Sequence, residues 1–291
     1  MTSDRAEILI NSINIDLKST LDGGQAFRWY PDNTGYRGVI DNQVVRFSRY
    51  EHGLRVEFIN DIMSCGMEEK INKYLGIDGT FEDFYRSYAG DKRLGLAITN
   101  WPGMRILQQD PWECLVSFIT SATSNIPRIK LNVNSIVCSL GQRIGPGKHD
   151  YSFPNPDTIA LAGEEVLRGH GLGFRAPYIV KAARDVVSGK ISFKRLRQLP
   201  FDDARSELQL LEGVGEKIAD CVLAFSLGKQ EAFPIDRWVR RALEEWCDMP
   251  SSLNNSKAAD WARARFGHNG AYVQQYLFHR QRLAARGHTT Q

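Results

Sequence analysis

Leu210-Leu211-Glu212-Gly213-Val214-Gly215-Glu216-Lys217-Ile218-Ala219-Asp220-Cys221 is the stretch whose reading decides the fold. A helical pattern ends at two closely spaced glycines, and a second pattern starts at once with Lys217 in its first turn. Glycines one residue apart permit a hairpin tight enough for several backbone N–H groups to point outward together. Those amides, with the positive end of the second helix behind them, make a site for one phosphate around Gly213, Val214 and Gly215. Such a contact fixes position without reading sequence. A turn packed inside a core uses the same glycines, so the pair alone leaves both uses open.

Lys217 adds chemistry. A free lysine amine has a pKa of about 10.4 and is protonated at neutral pH, hence a poor nucleophile. In the first turn of a helix, shielded from water, its ammonium is disfavoured by both dipole and desolvation. A neutral amine there can attack an electrophilic carbon and form a Schiff base. The competing reading is a solvated surface lysine. Nineteen residues on, in Phe233-Pro234-Ile235-Asp236-Arg237-Trp238, stands Asp236. Its place before a helical pattern suits an N-cap. A carboxylate can cap a helix and still face a cleft, where it stabilises developing positive charge or accepts a proton.

The totals limit the options. A chain of 291 residues with 42% hydrophobic and 24% charged residues has ordinary globular composition. A net charge of +3 permits nucleic-acid binding without arguing for it. Cys65, Cys114, Cys138, Cys221 and Cys247 are odd in number and lack C-x-x-C spacing, against a disulfide framework and a zinc or iron–sulfur site. No metal is expected. Met1 to Glu7 lacks the apolar region of a signal peptide, and no 18-residue apolar run occurs. The expectation is a soluble cytoplasmic protein with no membrane association.

In chain order, Phe27–Tyr30, Tyr36–Ile40, Val44–Phe47 and Leu54–Phe58 have strand character. Turn signals separate them at Pro31-Asp32-Asn33, Asp41-Asn42 and His52-Gly53. Spacings this short predict an antiparallel meander, followed by helices at Met67–Leu75 and Phe81–Tyr88. Gly23-Gly24 precede the first strand and mark either a turn or a backbone kept bare for close approach. From Trp101 the pattern is helical. Asp110-Pro111-Trp112-Glu113 carries a cap, a first-turn proline and a first-turn glutamate. Helices follow at 126–140, 157–161, 164–168, 176–187, 193–199, 202–211, 216–226, 237–246, 257–266 and 271–285. The class is α+β, with a small antiparallel sheet domain over residues 1–100. A helical domain of two subdomains spans 101–291 and contains the helix-hairpin-helix at about 202–227.

Gly213-Val214-Gly215-x-Lys217-x-Ala219-Asp220 with Pro234-x-Asp236 resembles the helix-hairpin-helix superfamily of DNA glycosylases. Gly24-Gln25-Ala26-Phe27-Arg28-Trp29 and Leu107-Gln108-Gln109-Asp110-Pro111-Trp112-Glu113-Cys114-Leu115-x-Ser117-Phe118-Ile119 narrow the resemblance. They are similar to the eukaryotic-type 8-oxoguanine DNA glycosylase/AP lyase family, and the matches run from about residue 21 to 280. The resemblance implies base-excision repair: a lesioned guanine is flipped from duplex DNA, Lys217 attacks the sugar, and Asp236 stabilises the cation. Gly24 would offer its carbonyl to the lesion. Guanine N7 is an acceptor, whereas in 8-oxoguanine it carries a proton, so one carbonyl can welcome the lesion and reject guanine. By the same resemblance Cys221 and Phe278 wall the base pocket, and Gln274 meets the base edge. Arg128 and Arg175 read the orphaned cytosine, and Phe174 is the wedge beside it. No cofactor is implied beyond a monovalent cation between hairpin and phosphate, and the protein is expected to act as a monomer.

Two positions depart from the family pattern. Thr123 stands where an asparagine fills the hole left by the extruded base, and it lacks the amide's paired donor and acceptor. This predicts a weaker preference for cytosine opposite the lesion. Trp238 replaces a usual phosphate-binding histidine and can donate only one indole hydrogen bond, which puts that contact in doubt. The family's long eukaryotic tail is missing, which points to a prokaryotic member. Two rivals stand beside this reading. A glycosylase for other bases would show a C-terminal four-cysteine cluster or lack the lysine. A non-catalytic hairpin module would need neither Lys217 nor Asp236.

Overall fold

The computed structural model describes residues 6–285 apart from residues 12, 34, 52, 61, 62 and 89. His52, half of one expected turn, lies outside the described residues. Five strands form one antiparallel sheet: β1 (Glu7–Ile10), β2 (Tyr30–Asp32), β3 (Gly35–Ile40), β4 (Gln43–Tyr50) and β5 (Gly53–Phe58), in the order β1-β5-β4-β3-β2. The expected meander runs from β2 to β5. At its tightest point Ile40 pairs with Gln43, and Asp41 and Asn42 have φ of 48° and 60°. Two left-handed residues give the turn whose twist matches the flanking strands.

The first expected strand is displaced. Phe27 to Trp29 lie outside the sheet, and β2 takes in Pro31-Asp32, which the sequence marks as a turn. Packing explains the shift. All three residues are buried, Phe27 in the larger helical core and Trp29 against Phe47 in the sheet's core, while Arg28 bonds Glu113 at 2.8 Å. The segment crosses between two cores, and this outweighs its aromatic strand propensity. Among the described residues, β1, α1 (Leu17–Leu21, capped by Asp16) and α4 (Leu94–Asn100) are elements the sequence did not lead one to expect.

Helices α2 (Met67–Tyr74) and α3 (Thr80–Tyr88) follow the sheet. Beyond α4 come α5 (Pro111–Thr120), α6 (Ile126–Leu140), α7 (Pro156–Gly169), α8 (Ala176–Val187), α9 (Phe193–Gln198) and α10 (Phe201–Leu208). The last four are α11 (Glu216–Ser226), α12 (Arg237–Trp246), α13 (Asn255–Phe266) and α14 (Gly270–Ala284). Inside α7, Gly163 at φ 79° separates the two short helices expected there. Asp110 caps α5 by accepting from the Glu113 amide at 2.9 Å, with Pro111 in the first turn.

Two hydrophobic cores result, and they interleave across residue 100. Phe81, Phe84, Leu94, Ala97 and Ile98 pack into the helical core, whereas Leu107 joins the sheet's core. Ion pairs fasten sheet to helices: Arg28 to Glu113, Arg37 to the buried Asp150, and Lys130 to Asp22. Together they hold the glycine pair at 23–24 beside α14 and α6. Among the described residues no helix is long and apolar enough to cross a membrane.

Candidate active site

The hairpin joins α10 to α11. Gly213 has φ 80°, and a Cβ there would stand 2.5 Å from the Tyr178 ring, so both conformation and space require glycine. Gly215 has nothing within 4 Å of its Cβ position. It caps α11 without any side-chain hydrogen bond, which leaves first-turn amides for an outside anion. Val214 is buried and anchors the loop from beneath. Arg205 of α10 lies 3.0 Å from Asp220 and 3.6 Å from Glu216, tying the two arms. The Arg205–Asp220 contact lacks hydrogen-bond alignment, and burial pushes the Asp220 carboxyl up to about 7 despite the guanidinium.

Lys217 is half-buried rather than solvated. Its ammonium donates to Ser121 Oγ at 3.1 Å and sits 5.1 Å from the Phe118 ring centre. The Ser121 hydroxyl in turn donates to the Phe118 carbonyl at 2.7 Å. Asp236 does cap α12: Oδ1 accepts from the Trp238 and Val239 amides at 2.9 and 2.8 Å. It also lines the same cavity as Lys217, so the two readings of this residue coexist.

That cavity encloses about 1210 Å³. Gly24, Cys221, Gln274 and Phe278 all line it, together with Ser121 and Ile126. Gly24 has φ 93°, and a Cβ would meet Ile126 Cδ1 at 2.9 Å and the Phe278 ring at 3.0 Å. The glycine therefore serves as a turn and as a close approach at once. Burial pushes the Cys221 thiol up to about 12, partly offset by Lys217, so the sulfur faces the cavity uncharged. Gln274 is buried, and its Oε1 has no hydrogen-bond partner in the protein. A buried acceptor without a partner is costly, and a ligand's N–H would satisfy it.

A second group lies beside the cavity. Arg175 donates through Nε to the Ala122 carbonyl at 2.7 Å and through Nη2 to Thr123 Oγ1 at 3.2 Å. Its guanidinium lies 4.5 Å from the centre of the Phe174 ring, which is 49% exposed. Burial, then the charge of Arg128, push Arg175 below the usual guanidinium range. Thr123 and Arg128 line the main cavity, whereas Phe174 and Arg175 stand outside its lining. Trp238 lines it too, with the Arg237 guanidinium 4.7 Å from the centre of its ring.

Sequence reasoning missed Ser121, Phe118 and Ile126 as parts of the site. Ser117-Phe118-Ile119 was visible as a motif, and residues 118 and 121 share a face at i, i+3. Nothing local tied that face to Lys217, 96 residues away from Ser121.

An amine and a carboxylate opening on one cavity, beside a tight glycine hairpin, form the arrangement expected of a helix-hairpin-helix DNA glycosylase with AP lyase activity. The comparisons with known proteins narrow this class. Residues 7–115 match the family profile "8-oxoguanine DNA glycosylase, N-terminal domain". A probable N-glycosylase/DNA lyase of Methanothermobacter thermautotrophicus is 32% identical, covering 92% of this chain and 94% of its own. The N-glycosylase/DNA lyase of Saccharomyces cerevisiae is 28% identical over 86% of this chain and 73% of its own. Among solved structures, the 8-oxoguanine glycosylase/lyase of Clostridium acetobutylicum superposes with a TM-score of 0.87 at 30% identity, covering 93% of each chain. That structure holds double-stranded DNA with cytosine opposite 8-oxoguanine. The chain belongs to the 8-oxoguanine DNA glycosylase/lyase family.

Proposed function

We propose that this enzyme removes 8-oxoguanine from double-stranded DNA, with cytosine opposite, and then opens the strand through a Schiff base on Lys217. The observation that carries the proposal is the meeting of Lys217, Asp236, Gly24, Cys221, Gln274 and Phe278 on one cavity. The flipped base lies between the Cys221 sulfur and the Phe278 ring, and the unpartnered Gln274 Oε1 accepts from the purine edge. The Gly24 carbonyl accepts from the N7 proton that distinguishes the lesion from guanine. Lys217 Nζ attacks C1′ and gives up a proton, while the base leaves with the bonding electrons and takes up a proton. Asp236 stabilises the positive charge that develops on the sugar. Opening of the sugar ring gives the imine, loss of a C2′ proton follows, and the 3′ phosphate departs.

Arg128 and Arg175 contact the orphaned cytosine, Phe174 wedges into the stack, and Thr123 faces the vacated space. Gly213 to Gly215 hold one backbone phosphate, and the open side of Gly215 leaves room for a bridging monovalent cation. No cofactor enters these steps. The enzyme is proposed to act as a monomer on the chromosome in a prokaryotic cytoplasm. Borohydride trapping on a duplex with a single 8-oxoguanine tests the chemistry. A covalent adduct is expected with the wild type and none with Lys217→Gln. Failure of the wild type to be trapped refutes the proposal.

A further inference from the structure

The glycine pair at 23–24 has no side chains to fix it, and Gly24 occupies the left-handed region. Glycine's freedom is a liability where one carbonyl must meet one proton, because such recognition tolerates about 0.5 Å of error. The restraint has to come from elsewhere, and the structure supplies it from two sides. On the C-terminal side of the pair, Gln25 is wholly buried. Its Nε2 donates to the Thr20 and Arg105 carbonyls at 3.0 and 2.7 Å, and its Oε1 accepts from the Leu107 amide at 2.9 Å. Its own carbonyl accepts from Gln109 Nε2 at 2.7 Å.

On the other side the restraint comes from α14. Gln275 Nε2 donates to the Gly23 carbonyl at 3.1 Å, and Arg282 Nη2 donates to the Asp22 carbonyl at 3.0 Å. Lys130 of α6 holds the Asp22 carboxylate at 2.6 Å. Residues 275, 278 and 282 follow at i, i+3 and i+7, one stripe of one helix. The pocket wall Phe278 therefore sits between the two residues that grip the turn.

We propose that Gln275 and Arg282 are positioning residues for recognition: they lock the Asp22–Gly24 turn to the helix that carries Phe278 and Gln274. Through this clamp the Gly24 carbonyl and the base pocket move as one body. The proposal rests on the reading that Gly24 meets the lesion. It separates two steps that share Lys217, because an abasic site has no base for Gly24 to recognise.

The test uses single-turnover rates on two duplexes, one with 8-oxoguanine and one with an abasic site. Gln275→Met keeps side-chain length and volume without the donor. Base excision is expected to slow by roughly fivefold, the equivalent of about one lost hydrogen bond. Abasic-site cleavage should stay within about twofold of wild type. Arg282→Met, at a half-buried position, carries the same test if the buried change harms folding, and the same split is expected. Unchanged excision in the variants overturns the clamp, and so does an equal loss on both duplexes, which would mark a purely structural role. A wild type that opens abasic sites yet leaves 8-oxoguanine in place instead refutes the substrate reading, and the clamp falls with it.

Discussion

Thr123→Asn is expected to make the protein more stable and more selective at once. Thr123 is exposed and has φ 49°, so a β-branched side chain occupies the left-handed region. That conformation costs an ordinary L-residue roughly 1–2 kcal/mol, and asparagine is among the few types that visit it routinely. Relief of about half that strain, ~0.5–1 kcal/mol, raises Tm by about 2 °C for a chain of this size. The contact with Arg175 Nη2 at 3.2 Å survives, since asparagine also presents an acceptor. The new amide adds a donor next to the orphaned base. One net hydrogen bond of about 1 kcal/mol corresponds to a fivefold gain in preference for cytosine, on the order of the factor per 1.4 kcal/mol that gives tenfold. Thermal denaturation reads the first effect. Excision rates with each of the four bases opposite 8-oxoguanine read the second. A lower Tm in the variant contradicts the strain argument. An unchanged ratio of cytosine to adenine removes residue 123 from recognition of the opposite base.

Two more substitutions probe the hairpin's surroundings. Asp236→Asn keeps the cap of α12, because asparagine accepts from the Trp238 and Val239 amides as aspartate does, so Tm should barely move. Loss of the charge should slow base excision by roughly 10²–10³-fold, and full activity in single-turnover assays would eliminate Asp236 from the mechanism. Asp220, pushed up to about 7 by burial, holds its proton more tightly folded than unfolded. Its stabilising contribution is therefore complete below about pH 4 and is lost as pH rises through 7. Asp220→Asn removes that titration. The variant's Tm relative to wild type should climb between pH 4.5 and 7.5, and a constant difference across that range defeats the argument.

Helices whose ends carry local chemistry were legible in the sequence. Asp110 and Pro111 start α5, Asp236 starts α12, and the glycines before Glu216 start α11, all at the expected residues. Elements that exist only through partners were not legible. β1 is four residues long and is held by pairing with β5, while Phe27–Trp29 follow two cores instead of a ladder. The site divides the same way. Residue type and spacing make Lys217 and Asp236 candidates, each with a competing reading, and the family resemblance is what selects them. Gln275 and Arg282 are ordinary polar residues on a helix, and their bonds to Gly23 and Asp22 span 252 and 260 positions. No local pattern encodes that distance.

The residues proposed for chemistry and those proposed for recognition do not divide between the hairpin and the sheet domain. The turn that carries Gly24 is gripped by α14, which belongs to the helical part and already supplies Gln274 and Phe278. The short loop between α5 and α6 is shared as well. Ser121 receives the Lys217 hydrogen bond, and one residue later the Ala122 carbonyl receives that of Arg175. The nucleophile and a residue assigned to the opposite base thus rest on adjacent residues of one turn, and Thr123 continues it. A displacement of that turn would disturb both contacts, because Ser121 and Ala122 are joined by one planar peptide unit. On the proposed roles, recognition and chemistry are joined through the hydrogen bonds of α14 and of the α5–α6 loop.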